Sequence, residues 1–300
     1  METAKATAPL SPVGRDASGL GRVAVGTDGS ACAARAVRWA ADEAARRGRP
    51  LVVVHATETD RVRHVTPEGV AFLLEEGERI LRESAGAVRE RHPELATETV
   101  LSRGGPAESV LEAAGEDGTP VFGSRGLGGF SALLLGSCTL KAAARTLVPL
   151  VVVRGPVRPL TGVVVAAVRD DGDRPALRFA AQAGRCRGAE VRALSAWMFL
   201  ESVGSMAPMV DDISAIAAAE QGATHRTAEP VRREFPDVKV TEEVVRARSV
   251  AGTLVEASEH ADLLVLGARR PAHPAISAFG GVTHALLHHA RCPVAIVPRL

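Results

Sequence analysis

Tyrosine is absent from the 300 residues, and aromatic side chains make up only 3%. Stacking platforms for unpaired bases are therefore scarce, which weighs against single-stranded nucleic acid. An excess of either charge is missing too: 36 Lys and Arg face 35 Asp and Glu, and a net charge of +1 offers no footprint for a phosphate backbone. No apolar run reaches the about 18 residues that a membrane-crossing helix needs. The cysteines Cys32, Cys138, Cys186 and Cys292 lie far apart with no Cys-x-x-Cys pair, which predicts separate, reduced thiols. The opening Met1 to Leu20 has no apolar block, so residues 1–20 read as a mobile tail of a cytoplasmic protein rather than a secretory signal. Two catalytic signatures are also missing. Without a Gly-x-Ser-x-Gly elbow or a Walker lysine, neither an esterase-type nucleophile nor an ATP-driven motor is expected.

What is present is a repeat. Arg22-Val-Ala-Val-Gly-Thr-Asp-Gly-Ser and Arg35-Ala-Val-Arg-Trp-Ala line up, 140 residues on, with Gly162-Val-Val-Val-Ala-Ala-Val-Arg-Asp and Pro175-Ala-Leu-Arg-Phe-Ala. At an offset of 144, Val121-Phe-Gly-Ser-Arg matches Val265-Leu-Gly-Ala-Arg, and Val148-Pro-Leu-Val-Val-Val matches Cys292-Pro-Val-Ala-Ile-Val. With 46% hydrophobic residues, each copy can bury a core.

Apolar runs at Val23–Val25, Leu51–Val54, Thr97–Leu101, Val121–Phe122 and Leu150–Val153 alternate with helical patterns at Ala33–Arg47, from Thr66-Pro67 onward, at Ala107–Ala114 and at Ser137–Thr146. The second helix is expected to turn Phe72, Leu73, Ile80, Leu81 and Val88 to the core, and Pro120 to delay the fourth strand to Val121. The second copy repeats the plan, with strands at Val163–Val168, Glu190–Trp197, Lys239–Val245, Leu263–Leu266 and Val294–Val297. Its helices are expected at Pro175–Arg187, Ile213–Phe235, Val250–His260 and Thr283–Ala290, with a loop over Met198–Asp212. The order βαβαβαβαβ predicts an α/β fold in which each copy is a five-stranded parallel sheet with helices on both faces. The domains would span 21–154 and 162–300, joined by a proline-stiffened linker over 155–161.

From Val121 to Thr139 the glycines fall as Gly123, two residues, Gly126, nine residues, Gly136, with Ser137 next and a helix after it. Glycine lets backbone approach a ligand closely, and the unpaired amides of a helix start favour an anion, so the loop suits phosphate. A hydroxyl at Ser137 or Thr139 could bond a phosphate oxygen directly. An ordinary glycine-rich turn is the alternative. The Gly26-Thr27-Asp28 and His55-Ala56 turns also follow strands and share the same rim of the sheet, where ligands of such folds bind.

With Gly123, Gly126, Gly136, Ser137 and Asp28 in hand, the chain resembles a tandem universal stress protein of the nucleotide-binding branch, over about Arg22 to Leu300. The resemblance implies two Rossmann-like domains of the adenine nucleotide alpha hydrolase-like kind, and ATP or another adenine nucleotide, with or without magnesium, in the first. It places Gly26, Thr27, Asp28 and Ala56 around adenine and ribose. Phe122, Gly123, Arg125, Gly126, Gly136, Ser137, Cys138 and Thr139 take the phosphate side. It also implies a pseudo-dimer within the chain, the closing strands side by side, with an unidentified protein partner and a homodimer of the whole chain left open. Binding is expected to order the Gly123 to Gly136 loop and change a surface that a partner reads. A nucleotide-independent scaffold and a slow ATP-cleaving or adenylate-transferring enzyme are the alternatives.

At the aligned positions the second copy replaces Asp28 by Val168, Gly126 by Arg270 and Ser137 by Gly281, so its site is expected to be degenerate; the alternative keeps Arg269 and Arg270 as anion grips. A capping role for Asp28 stands against its ribose role. His284, His288 and Cys292 share a helical spacing open to a metal, but the first copy has Leu140, Ala144 and Val148 there, which favours packing.

Overall fold

The computed structural model describes residues 20–61, 66–124, 136–198, 210–268 and 280–299, the side chains of 210–212 excepted. The first repeat runs β1 (Val23–Gly26), α1 (Ala31–Arg47), β2 (Leu51–Ala56), α2 (Pro67–Arg91), β3 (Thr97–Ser102), α3 (Pro106–Ala114), β4 (Thr119–Gly123), α4 (Ser137–Arg145) and β5 (Leu150–Val153). The second runs β6 (Val163–Ala167), α5 (Arg174–Arg187), β7 (Glu190–Trp197), α6 (Val210–Glu234), β8 (Val240–Arg246), α7 (Val250–Ala257), β9 (Leu263–Ala268), α8 (Gly281–His289) and β10 (Val294–Pro298), with single 3-10 turns at Asp171–Asp173 and Ser258–His260. All ten strands lie in one sheet, in the order β3-β2-β1-β4-β5-β10-β9-β6-β7-β8. Each repeat is parallel throughout, and the two meet where β10 runs antiparallel to β5, Val294 opposite Val152 and Ile296 opposite Leu150.

Local chemistry sets the ends of the helices. Ser30 accepts from the Ala33 amide to open α1, which stops at Gly48 in the left-handed region (φ 60°) after Arg46 and Arg47 in its last turn. Thr66 caps α2 and Pro67 supplies its first position. α1, α2, α5 and α6 cover one face of the sheet, and α3, α4, α7 and α8 the other, giving two apolar layers that both run across the repeats.

Several expectations need correction. β4 starts at Thr119, not Val121. The Thr119 amide donates to the Arg22 carbonyl, so ladder alternation turns the Pro120 nitrogen toward β5, and β5 begins to pair only at Val121. No donor is lost there. Phe72 is 67% exposed, while Ile80, Leu81 and Val88 are buried. Eight residues before Ile80, Phe72 is rotated about 80° off that stripe at about 100° per residue, whereas Leu73 stays near it and is half-buried. The expected helix to His260 relaxes into a 3-10 turn from Ser258, whose hydroxyl bonds the Val255 carbonyl and accepts from the Arg291 amide. α6 begins at Val210, inside the expected loop, of which residues 199–209 lie outside the described residues. The expected tail overreaches by one residue, because Leu20 is buried in the core; residues 1–19 lie outside those described.

Beside the seam, α1 meets α5 around one carboxylate. Glu43 is fully buried; Arg47 donates to it through Nε at 2.8 Å, and Arg187 reaches it from the other repeat. Arg47 also donates to Thr119 Oγ1 at 2.7 Å. Each arginine lies over an aromatic ring of the opposite repeat, Arg47 over Phe179 and Arg187 over Trp39, both at 5.9 Å from the ring centroid. The linker is fastened as well. Arg154 donates to the carbonyls of Leu286, Leu287 and His288 at the end of α8, and Arg158 to those of Ser258, Glu259 and Ala261. Gly155 has φ 78°, and a Cβ there would meet the Arg291 carbonyl oxygen at 2.1 Å.

Burial alone would raise the Glu43 carboxyl, but the charges of Arg187 and Arg47 and the Arg47 hydrogen bond outweigh it and hold it at about 2. Its stabilising contribution is complete above the ordinary value of 4.5 and is lost as pH falls toward about 2. Glu43→Gln, which leaves two arginines buried without their anion, is expected to lower stability by about 3–5 kcal/mol in urea unfolding near neutral pH, and to flatten the acid limb of the wild-type profile.

Candidate functional site

Strand order reverses between β1 and β4 in the first repeat, and four segments converge at their carboxyl ends: the turn after β1, the end of β2, the end of β4 and the start of α4. Gly26 closes β1 with little room, since a Cβ would meet Val110 at 3.1 Å and the Phe122 ring at 3.8 Å. Thr27 is buried; its amide donates to the Val54 carbonyl, and its hydroxyl accepts from the Gly29 amide at 3.3 Å. The His55 ring bonds the Thr27 carbonyl through Nδ1 at 2.8 Å, tying the ends of β1 and β2 together. Asp28 accepts from the Ser30 amide at 3.0 Å in an Asx turn. Capping of α1 therefore falls to Ser30, and Asp28 braces the turn beside it. Ala56 ends β2 half-buried, opposite Ser102.

On the other side, buried Phe122 leads to Gly123, whose carbonyl accepts from Thr139 Oγ1 at 3.0 Å. The Ser124 amide donates to Val153, and the Gly136 amide returns to the Ser124 carbonyl at 2.9 Å, so the two ends of the glycine loop are stitched together. Arg125 and Gly126 lie outside the described residues. Gly136 opens α4 in extended conformation without a side-chain cap; Ser137 is exposed, Cys138 half-buried and Thr139 buried. The Thr139 proton is thus spent on Gly123, and Thr139 holds the loop's base rather than presenting a donor. Ser137 keeps the exposed hydroxyl at the helix start. Burial pushes the Cys138 thiol up to about 12, with Glu108, Glu58 and Asp28 adding to the shift and Lys141 opposing it.

A chain of ion pairs along this rim went unread in the sequence: Arg61 lies 3.8 Å from Glu58 and 3.3 Å from Glu108, and Arg145 lies 2.5 Å from Glu108. Glu108 at the third position of α3 was the only available signal. Glu58, at φ 55°, holds the left-handed turn that follows Ala56.

At the end of its first strand the second repeat departs from the 140-residue offset by one residue. The Val168 amide donates to Leu194 as that of Thr27 does to Val54, and Val164 pairs with Leu263 as Val23 does with Thr119. The counterpart of Asp28 is therefore Arg169, not Val168, because the turn before α5 is one residue shorter. Arg169 donates to the fully buried Asp173 from Nε at 3.0 Å and from Nη2 at 2.9 Å, and to the Gly267 carbonyl at 2.7 Å. Arg299 closes the cluster on Asp170 and lies 3.5 Å from Asp173. A Cβ on Gly267 would meet Asp173 Oδ1 at 2.2 Å, so the counterpart of Gly123 is already packed against the chain's own carboxylate. Arg269 and Arg270 lie outside the described residues. His284 and His288 lie with ring centroids 4.2 Å apart, and the buried Cys292 thiol faces the Pro293 carbonyl.

A model described as the universal stress protein family matches residues 19–154 and again 161–298. A universal stress protein of Mycobacterium tuberculosis is 29% identical over 291 residues, covering 95% of this chain and 99% of the relative. One from Mycobacterium bovis is 31% identical over 302 residues, covering 91% and 96%. Among solved structures, a universal stress protein from Archaeoglobus fulgidus superposes with a TM-score of 0.63 over 93% of this chain and 98% of its own, at 14% identity, a likeness of fold.

Thiolate-directed alkylation checks the polarity of the rim. With their thiols at about 12, Cys138 and Cys292 are expected to stay unmodified by iodoacetamide in the folded chain at about pH 8, and to react once it is unfolded, as read by peptide mass spectrometry.

Proposed function

The chain belongs to the universal stress protein family, and from that premise we propose that its first domain binds an adenine nucleotide, with ATP, with or without magnesium, as the ligand. The observation that carries the reading is the start of α4. Gly136 brings no side-chain cap, so the first-turn amides and the exposed Ser137 hydroxyl keep their donors for an anion, while Thr139 and Ser124 hold the loop ends in place around them. Asp28, braced at the opposite side of the rim, supplies a carboxylate acceptor suited to ribose hydroxyls. Ala56, at the end of β2 on the far side of β1 from β4, has a side chain small enough to leave space for a base. Arg125 and Gly126 complete the phosphate side of the proposal.

The second domain serves as a structural partner. Its counterpart of Asp28 is a guanidinium already satisfied by Asp173 and Gly267, and its counterpart of Ser137 is Gly281. One nucleotide per chain is the consequence. Occupancy, rather than turnover, is the output that a protein partner reads in this proposal.

Titration calorimetry of ATP into the whole chain is expected to give a stoichiometry near one. Asp28→Ala should weaken binding by about ten-fold or more, the worth of hydrogen bonds to a charged acceptor. Ser137→Gly should weaken it by several-fold, about the value of one neutral hydrogen bond. A stoichiometry of two would overturn the one-site reading; absence of binding would leave the scaffold.

A further inference from the structure

Between α7 and α8, beside the linker, lies a groove of about 510 Å³ lined by Arg154, Gly252, Val255, His288, His289 and Arg291, with small residues filling the remainder of its walls. The first repeat shows what normally occupies this position. There, the counterparts of Gly252 and His289 are Glu108 and Arg145, which pair at 2.5 Å and clamp α3 to α4. The capping chemistry has moved correspondingly. In α3 the first position before the helix is Gly105, without a side-chain cap, and the Glu108 carboxylate bonds its own backbone amide. In α7 the equivalent of Gly105 is Ser249, which accepts from the Gly252 amide at 3.1 Å. The third position is thereby released from capping, and its side chain is deleted.

The remaining lining is basic. Arg154, Arg291, His288 and His289 line the groove, and no Asp or Glu is among the described residues that line it, although Arg154 is engaged by the α8 carbonyls and Arg291 lies 3.8 Å from Glu259. Nδ1 of His288 is shut off from solvent without a hydrogen-bond partner among the described residues. Burial, His284, Arg154 and His289 together hold the His288 ring below its ordinary value. The apolar part of the wall, Ala251, Val255, Ala285 and Ala290, suits a short aliphatic body.

We propose that this groove is a binding site for a small aliphatic carboxylate, which takes the place that the Glu108 carboxylate fills in the first repeat. Its head lies among His289, Arg291 and the start of α7, and its chain lies along Val255 and Ala285. The site is independent of the nucleotide reading, being on the second domain and on the face of the sheet covered by α7 and α8.

The test uses the full chain and hexanoate, with hexanol as the neutral match. Hexanoate is expected to bind once per chain and at least about ten-fold more tightly than hexanol, as a charge-assisted contact requires. Gly252→Glu combined with His289→Arg rebuilds the first repeat's clamp inside the groove; a Cβ at Gly252 meets nothing closer than Ser249 at 3.4 Å, so the new side chain has room. That variant should lose hexanoate binding by at least about ten-fold while melting at or above the wild-type temperature. His289→Ala, which adds no bulk, should weaken hexanoate by several-fold and leave hexanol unchanged, and it decides the matter if the double variant does not fold. No hexanoate binding, equal affinity for hexanol, or affinity unaltered by the substitutions would each overturn the proposal.

Discussion

A single buried carboxylate holds the two halves in register. Glu43 sits where α1 and α5 cross near the local twofold axis, and it serves an arginine from each repeat. Symmetry would offer the second repeat the same residue, but two carboxylates at that axis would face each other in a medium of low permittivity. The sequence breaks the symmetry there: the counterpart of Glu43 is Ala183, buried without charge. Around this asymmetric centre the rest remains paired, with each arginine on the other repeat's ring and β5 against β10. A buried ion pair contributes less net stability than its Coulomb energy suggests, so its value here is specificity of docking. The β5–β10 ladder and the triad together fix where the apolar layers meet.

Duplication then lets the halves diverge without loss of fold. In the first, the rim is built from backbone donors and one braced carboxylate. In the second, Arg169, Asp173 and Arg299 satisfy one another at the same place, so the scaffold is retained while the opening is filled by its own ions. The opposite exchange occurs between α3 and α4 and their counterparts α7 and α8. There the first repeat fills the space with Glu108 and Arg145, and the second leaves it open. Each repeat thus supplies a physical control for the other.

Much of this was legible in the residues. The repeat, the strand and helix order and the rim formed by Gly26 to Asp28, Ala56 and Gly136 to Thr139 follow from apolar periodicity and turn chemistry, which are local, whereas the closing-strand pairing comes from the family resemblance. What escaped depends on partners distant in sequence. Pro120 looked like a strand breaker because the side of the strand its nitrogen faces is set by neighbours, not by proline. Phe72 looked like core because a 3.6-residue stripe was read too loosely at its end. Arg169 was missed because one deleted residue in a turn shifts a strand by one position, and a gapless comparison converts a charge reversal into a harmless valine. The Glu43 triad could not be read at all, since nothing in a helix sequence says that a glutamate will lie beneath a second domain.

The antiparallel junction of β5 and β10 also has a consequence for behaviour in dilute solution. Two separate five-stranded units would expose a closing edge whenever they came apart, and their association would weaken as concentration fell. Here both edges are spent on each other within one covalent chain, and Arg154 and Arg158 keep the tether short. The high local concentration this creates makes the seam insensitive to dilution. The free edges of the sheet are then β3 and β8, which carry Glu98, Glu242 and Glu243, charges that discourage a stranger's strand from adding on.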